Sequence, residues 1–242
     1  MITVCGRFYL EPQDPLIQDL MEQVNRSPLA ERFRGRYARQ PVPAAGEILP
    51  SAIVPVIALS RKRERKAFPM RWGFSMGEAG RGSSRLVINA RSETAPEKPM
   101  FRESWALRRC VIPASWYFEW EHVLTQGGRK KAGQKYAVRS ENESMLWLAG
   151  LYRMEEGLPA FTVLTREPAE SVSWMHDRMP LILPESEAGL WILPDTDPEA
   201  VQRHAVTSLK CEKAGADLKD NESQGRNRED EVLSETGKQS VL

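Results

Sequence analysis

The run RRCVIPASWYFEW, residues 108–120, is β-branched or aromatic except for its Arg-Arg-Cys start, a Pro-Ala-Ser break and Glu119. It predicts two strands, Arg109–Pro113 and Trp116–Glu121, joined at that break. Similar short runs lie on either side. Downstream are Tyr136–Arg139, Met145–Tyr152 and Phe161–Thr165, with a short strand at Leu181–Leu183. Upstream are Val54–Leu59, Phe68–Trp72 and Leu86–Asn89. The segment LTQGGRKKAGQK, 124–135, has the glycines and lysines of a basic hairpin loop, and SMGEAGRGSS, 75–84, those of a flexible one.

Helices are fewer. In residues 14–24, Leu16, Ile17, Leu20, Met21 and Val24 recur at helical spacing, with Asp14 as cap and Pro15 in the first turn. Lys98–Arg108 reads as a helix with Phe101, Trp105 and Leu107 inward; Pro168–Met175 and Ser186–Leu193 read as shorter ones. Arg26 to Pro50, rich in Arg, Pro, Ala and Gly, reads as loop. Many short strands with a few interspersed helices imply an α+β fold. The expectation is one domain on a curved, barrel-like, largely antiparallel β-sheet with flanking helices. That domain is expected over residues 1–219. Residues 220–242, polar and charged, are expected to form a disordered acidic tail.

Composition narrows the function classes. The 242 residues are 41% hydrophobic, enough for a substantial core, and no apolar run approaches a bilayer span. No charged segment followed by an apolar stretch stands at the N-terminus, so no secretion signal is expected. The three cysteines, Cys5, Cys110 and Cys211, form no CxxC pair, and with His122, His176 and His204 they show no ligand spacing. A cytoplasmic protein without a metal or cofactor is expected. Net charge is +1, but residues 220–242 carry six acidic and three basic side chains, which leaves the body mildly basic at +4.

Four stretches could carry chemistry: CGRF at 5–8, INARSET at 88–94, WYFEW at 116–120 and HDRMP at 176–180. Cys5 is either a small buried hydrophobe or a nucleophile; on an extended strand Arg7 shares its face and depresses the thiol pKa. Asn89 and Arg91, two apart, point one way on a strand, where an amide orients a substrate and a guanidinium grips an anion. Glu119 either faces water beside Tyr117, with Trp116, Phe118 and Trp120 inside, or faces inward. In the second case desolvation raises its pKa and suits it to general acid–base work. His176, read as following a helix, is a second proton-transfer candidate.

In this order, CGRF, NARSET, WYFEW and HDRMP resemble the signature of the SRAP family (SOS-response-associated peptidase), abasic-site processing proteins. Supporting matches are RWGF at 71–74, MFRESW at 100–105, RRCVIPAS at 108–115, LAGLY at 148–152, FTVLT at 161–165 and AVTSLK at 205–210. The resemblance spans about residues 4–219. It implies a sensor of abasic sites in single-stranded DNA that forms a covalent thiazolidine cross-link through an N-terminal cysteine. Cys5 would be the nucleophile, Glu119 and His176 the acid–base pair, and Asn89 an orienting group. Arg7 and Arg91 would hold phosphates, and Trp72 is either a base-stacking surface or a core aromatic. A monomer in the cytoplasm, at the nucleoid when bound to DNA, is the matching expectation.

The sequence departs from that pattern at its start. Met1, Ile2, Thr3 and Val4 precede Cys5, so as written the Cys5 nitrogen is an amide and forms no Schiff base. Either Val4 is the true start, decoded as Met, or the leader is cleaved, by the protein itself in one version. The segment RYARQPVPAAGEILP, 36–50, also looks extended against the family pattern. Two other readings stand beside cross-linking: a thiol (auto)peptidase using Cys5, and a non-covalent single-stranded DNA binder.

Overall fold

The computed structural model describes residues 5–76, 85–124, 128 and 130–215. The 220–242 tail, the leader Met1–Val4 and most of the 75–84 loop lie outside the described residues.

Five strands close a barrel. They are β3 (Ile53–Leu59), β4 (Arg65–Trp72), β8 (Arg109–Ala114), β11 (Leu146–Glu155) and β12 (Leu158–Arg166). Neighbours pair in the order β12-β4-β3-β8-β11, and β11 pairs back onto β12 to close the ring. The pairings are antiparallel except β4 with β12, which runs parallel at Ala160–Arg71 and Phe161–Trp72. Close approach inside the barrel requires Gly150 on β11: a β-carbon there would lie 2.5 Å from Ile112 Cδ1 and 3.0 Å from Thr162 O.

A second, five-stranded sheet has the order β15-β10-β9-β1-β2. Its strands are β1 (Arg7–Leu10), β2 (Gly46–Ile48), β9 (Trp116–Leu124), β10 (Lys130–Ser140) and β15 (Leu209–Lys213). Both faces of β9 are covered. Tyr117 joins Phe8, Leu10 and Val138 in the main core shared with the barrel. Trp116 and Phe118 form a separate cluster with Ala137 and Tyr9. There the Tyr9 ring stacks on Trp116 at 4.2 Å, and Arg139 and Lys135 lie 3.8 and 3.7 Å over Trp116 and Phe118. The alternation of β9 is therefore real, but the side on which Glu119 lies is the interior one, and its exposure is 2%. Of the two readings of Glu119, the inward one holds, and Tyr117 and Glu119 do not face water.

Three strands serve the site more than the core. β5 (Phe74–Met76) and β6 (Arg85–Val87) form a two-stranded arm, and β7 (Asn89–Arg91) continues parallel to the second half of β12. The turn into the arm is made by Gly73 at φ +107°, where a side chain would also meet Leu86. The expected single strand Leu86–Asn89 is thus two strands broken at Ile88.

The first helix, α1 (Pro15–Asn25), is capped by the Asp14 side chain and buries Ile17, Leu20 and Val24. The expected loop 26–50 instead contains α2 (Pro28–Arg36) and β2; Ser27 caps α2, Pro28 begins it, and Ala30 and Phe33 anchor it. The helix α3 (Arg102–Leu107) buries Trp105 but leaves Leu107 exposed. The expected helix Pro168–Met175 is a single 3-10 turn, η1 (Glu170–Val172). The helices α4 (Glu185–Trp191) and α5 (Pro198–Gln202) complete the fold, with β13 (Met179–Pro180) and β14 (Ile182–Leu183) at the barrel margin. No helix among the described residues is long and apolar enough to cross a membrane.

Candidate active site

Cys5, the first of the described residues, stands just before β1. Pairing of β1 with β9 sets Arg7 opposite Phe118, and the residues just before β1 therefore run alongside Glu119. The Cys5 backbone nitrogen donates to Glu119 Oε2 at 2.9 Å, and Glu119 Oε1 accepts from the Trp120 amide at 3.1 Å. Both residues are buried, Cys5 completely. Burial raises the Glu119 carboxyl from its ordinary 4.5 to about 7, with the two amide donors pulling it down and Asp177 pushing it up. A group at that value takes and gives a proton at neutral pH with little driving force either way.

The thiol differs from the sequence expectation. Cys5 is not on an extended strand: its φ is +42°, in the left-handed region that a β-carbon disfavours. Burial, then the nearby Glu119 charge, push the thiol well above its ordinary value. Arg7 does not oppose this. Its guanidinium pairs with Glu47 at 2.7 Å, lies 5.5 Å over the Trp120 ring and shares Glu47 with Lys135, whose Nζ is 2.8 Å from the same oxygen. Burial would raise the Glu47 carboxyl, but those two cations outweigh it and hold Glu47 below the usual range.

His176 follows η1 and is 6% exposed. With only one 3-10 turn before it, no helix dipole acts on it. Its Nδ1 lies 2.6 Å from Asp177 Oδ1 and 3.2 Å from the Arg178 amide nitrogen. The first contact needs a proton on Nδ1 and the second a lone pair. The shorter, charge-assisted one favours Nδ1–H and leaves Nε2 as the basic nitrogen of the neutral ring. Arg178 fixes this segment: it grips both oxygens of Glu93 at 2.8 and 2.7 Å and donates to Thr165 O at 2.7 Å.

Asn89, Arg91, His176, Asp177 and Arg178 line one cavity of about 770 Å³, with Arg85 and Thr165 also in its wall. Arg85 and Arg91 line it beside Asp177, with Arg178 already held by Glu93, so among the described residues its wall leans basic and favours an anion. Register explains the gathering: β7 pairs with β12 from Val163 to Thr165, and β13, carrying Met179 of HDRMP, pairs with β12 at Thr165–Arg166. One strand thus receives INARSET on one edge and HDRMP on the other.

Arg7 is not in this wall and lies on the Trp120 side, so the two expected phosphate ligands are not adjacent. Trp72 requires a correction. It is fully buried, with Phe8 at 5.0 Å and Phe161 parallel at 6.2 Å, and its Nε1 donates to Ile88 O. Its ring is closed off from any base, so Trp72 belongs to the core. Sequence reasoning also missed His122, whose ring lies 4.3 Å from that of His176, and the Glu93–Arg178 clamp. Both contacts join residues far apart in the chain, and no spacing announces them.

Comparison with known proteins accords with this geometry. The chain is 31% identical over 206 residues to abasic site processing protein YoqW of Bacillus subtilis, covering 82% of this chain and 85% of the relative. It is 28% identical over 199 residues to abasic site processing protein YedK of Escherichia coli, covering 78% and 79%. A crystal structure of a Bacteroides thetaiotaomicron protein, 19% identical, shares the fold with a TM-score of 0.65 over 88% of this chain and 93% of that one. The family model for SOS response associated peptidase matches residues 4–217. That span takes in every strand of the barrel and every site residue above, and the chain belongs to the SOS response associated peptidase (SRAP) family.

Proposed function

We propose that the protein processes abasic lesions in single-stranded DNA by forming a covalent bond through Cys5. The carrying observation is the 2.9 Å hydrogen bond from the Cys5 nitrogen to a buried carboxyl held near pKa 7. Relatives named abasic site processing proteins support the lesion as substrate.

When Cys5 is the first residue, that nitrogen is an amine. The ring-opened abasic sugar presents an aldehyde. The amine adds to its carbon, Glu119 relays the two nitrogen protons in turn to the carbonyl oxygen, first to form the hydroxyl and then to expel it as water, and the C=N bond forms. The thiol S–H then adds across C=N: sulfur bonds to carbon, its proton passes to nitrogen, and a five-membered thiazolidine closes. His176, with Nε2 as its basic nitrogen, serves proton transfer at the sugar; Asn89 orients the sugar, and Arg91 and Arg7 hold phosphates on either side.

One observation favours a second activity at the same residues. The peptide nitrogen that Glu119 contacts belongs to the Val4–Cys5 bond, and Cys5 is held at φ +42°. Attack of Cys5 Sγ on the Val4 carbonyl would form the C–S bond and break the C–N bond, with Glu119 relaying the thiol proton to the departing nitrogen. Water would then hydrolyse the thioester, releasing Met1–Val4 and restoring the thiol. This autoproteolysis would generate the amine that cross-linking needs.

Intact mass tests both. The expected result is a chain that begins at Cys5 and gains the mass of an abasic oligonucleotide on its N-terminal peptide. An adduct that persists in Cys5→Ala would overturn the assignment. A leader retained by Cys5→Ala and Glu119→Gln but lost by the parent would support self-cleavage; equal loss in all three would refute it.

A further inference from the structure

An abasic site leaves the neighbouring base without a stacking partner on one side. A protein reading that lesion gains by offering a flat aromatic face beside its reactive centre. With Trp72 in the core, this face must come from elsewhere.

Trp174 is 49% exposed, the one aromatic among the large hydrophobic residues described as exposed. It stands two residues before His176, at the end of the η1 turn. Its ring meets Tyr136 edge to face, 5.0 Å between centroids at 89°. Whichever ring supplies the edge, at least one indole face is left uncovered by Tyr136. Tyr136 itself lies directly opposite Glu119 across β10 and β9, and cross-strand partners share a face. Trp174 is therefore one side chain removed from Glu119 and two residues from His176. Its Nε1 donates to Ser171 O at 3.0 Å, so the indole N–H is spent within the turn. What remains for a ligand is an apolar face, held in place by two contacts and unable to choose among bases by hydrogen bonding.

We propose that Trp174 stacks on the base next to the abasic nucleotide, replacing the partner that base has lost. The inference rests on the DNA-lesion reading above. It gives the site a preference for abasic over intact single strands that precedes any covalent step, because in an intact strand the neighbouring base competes with Trp174 for that face, and beside the lesion it does not.

The test uses the full chain and a single-stranded oligonucleotide carrying a tetrahydrofuran abasic analogue, which has no aldehyde and cannot cross-link. A 2-aminopurine sits on the 5′ or the 3′ side of the analogue, and its fluorescence and the dissociation constant are read together. Quenching on one side is expected with the parent and with Trp174→Phe. Trp174→Ala should abolish it and weaken binding roughly 5- to 150-fold. Thermal unfolding should be little changed, since the residue is half exposed. Arg91→Ala should weaken binding but keep the quenching at saturation. If Trp174→Ala binds and quenches like the parent, or neither probe is quenched by the bound parent, the inference is overturned while the DNA reading stands. A parent that binds neither oligonucleotide overturns both.

Discussion

Glu119→Gln should make the protein's stability less sensitive to pH, and the size of the change follows from the site. The carboxyl sits at about 7 in the fold against an ordinary 4.5. The folded chain thus binds this proton more tightly than the unfolded one. The associated stability is fully present below about 4.5, is lost as pH rises through that interval, and is gone above 7. The whole interval is worth roughly 3 kcal/mol, of which about 2.5 kcal/mol falls between pH 5 and 8. A glutamine does not titrate, so this slope disappears in the variant. The variant loses one acceptor for the Cys5 and Trp120 amides at every pH, which shifts its stability by a constant. The informative quantity is therefore the parent-minus-variant difference in unfolding free energy, measured by guanidinium titration at both pH values. Other titrating groups cancel in it. It should fall by about 2.5 kcal/mol from pH 5 to pH 8. A change under about 0.5 kcal/mol would refute the claim that burial controls this carboxyl. The chain must be the full one, checked by mass. In a chain starting at Cys5, an ammonium would lie against Glu119, favour the carboxylate and shrink or reverse the trend.

Gly150→Ala should destabilise the barrel by about 1–3 kcal/mol, because the added carbon meets Ile112 and backbone oxygen within 3.0 Å; a loss under about 0.5 kcal/mol in chemical unfolding would contradict the packing described. Arg178→Lys removes the two-pronged grip on Glu93 and should cost about 1–2 kcal/mol in unfolding free energy, while an unchanged melting temperature would show the clamp to be idle. Arg91→Ala should lower the slope of log affinity for single-stranded DNA against log salt by about 0.7, one phosphate contact, and an unaltered slope would remove Arg91 from the backbone path. Arg7→Ala should lower it less, because Glu47 already holds part of that charge.

The barrel strands were readable because each is a short β-branched or aromatic run ended by turn residues, and a chain of that kind has few alternatives to an antiparallel sheet. Closure of the ring was not, since it depends on β4 and β12 meeting in parallel, and no local pattern marks that pairing. The missed helix α2 did carry a signal: Ser27-Pro28 is a capping start, obscured by the arginines and Gly35 that follow. Pro168–Met175 carried the opposite error. It has a helix-like opening, but only the single 3-10 turn Glu170–Val172 forms before HDRMP. In the candidate site, the residue types were legible and their environments were not. Glu119 could have faced either way because alternation alone does not say which side is covered, and here both are. The thiol of Cys5 was misjudged because Glu47, distant in the chain, occupies the arginine that would have acted on it.

Complete burial of Cys5 also bears on redox selectivity. Peroxides, disulfides and alkylating agents react with thiolate, and a thiol kept protonated out of solvent offers them little. Cys110 is buried in the same way, whereas Cys211 lies half-exposed on β15 at the edge of the second sheet. A disulfide arriving from solution therefore meets Cys211 first, and oxidation there leaves the other end of the chain chemically intact. A concealed S–H at Cys5 thus outlasts an oxidant that has already spent itself on Cys211.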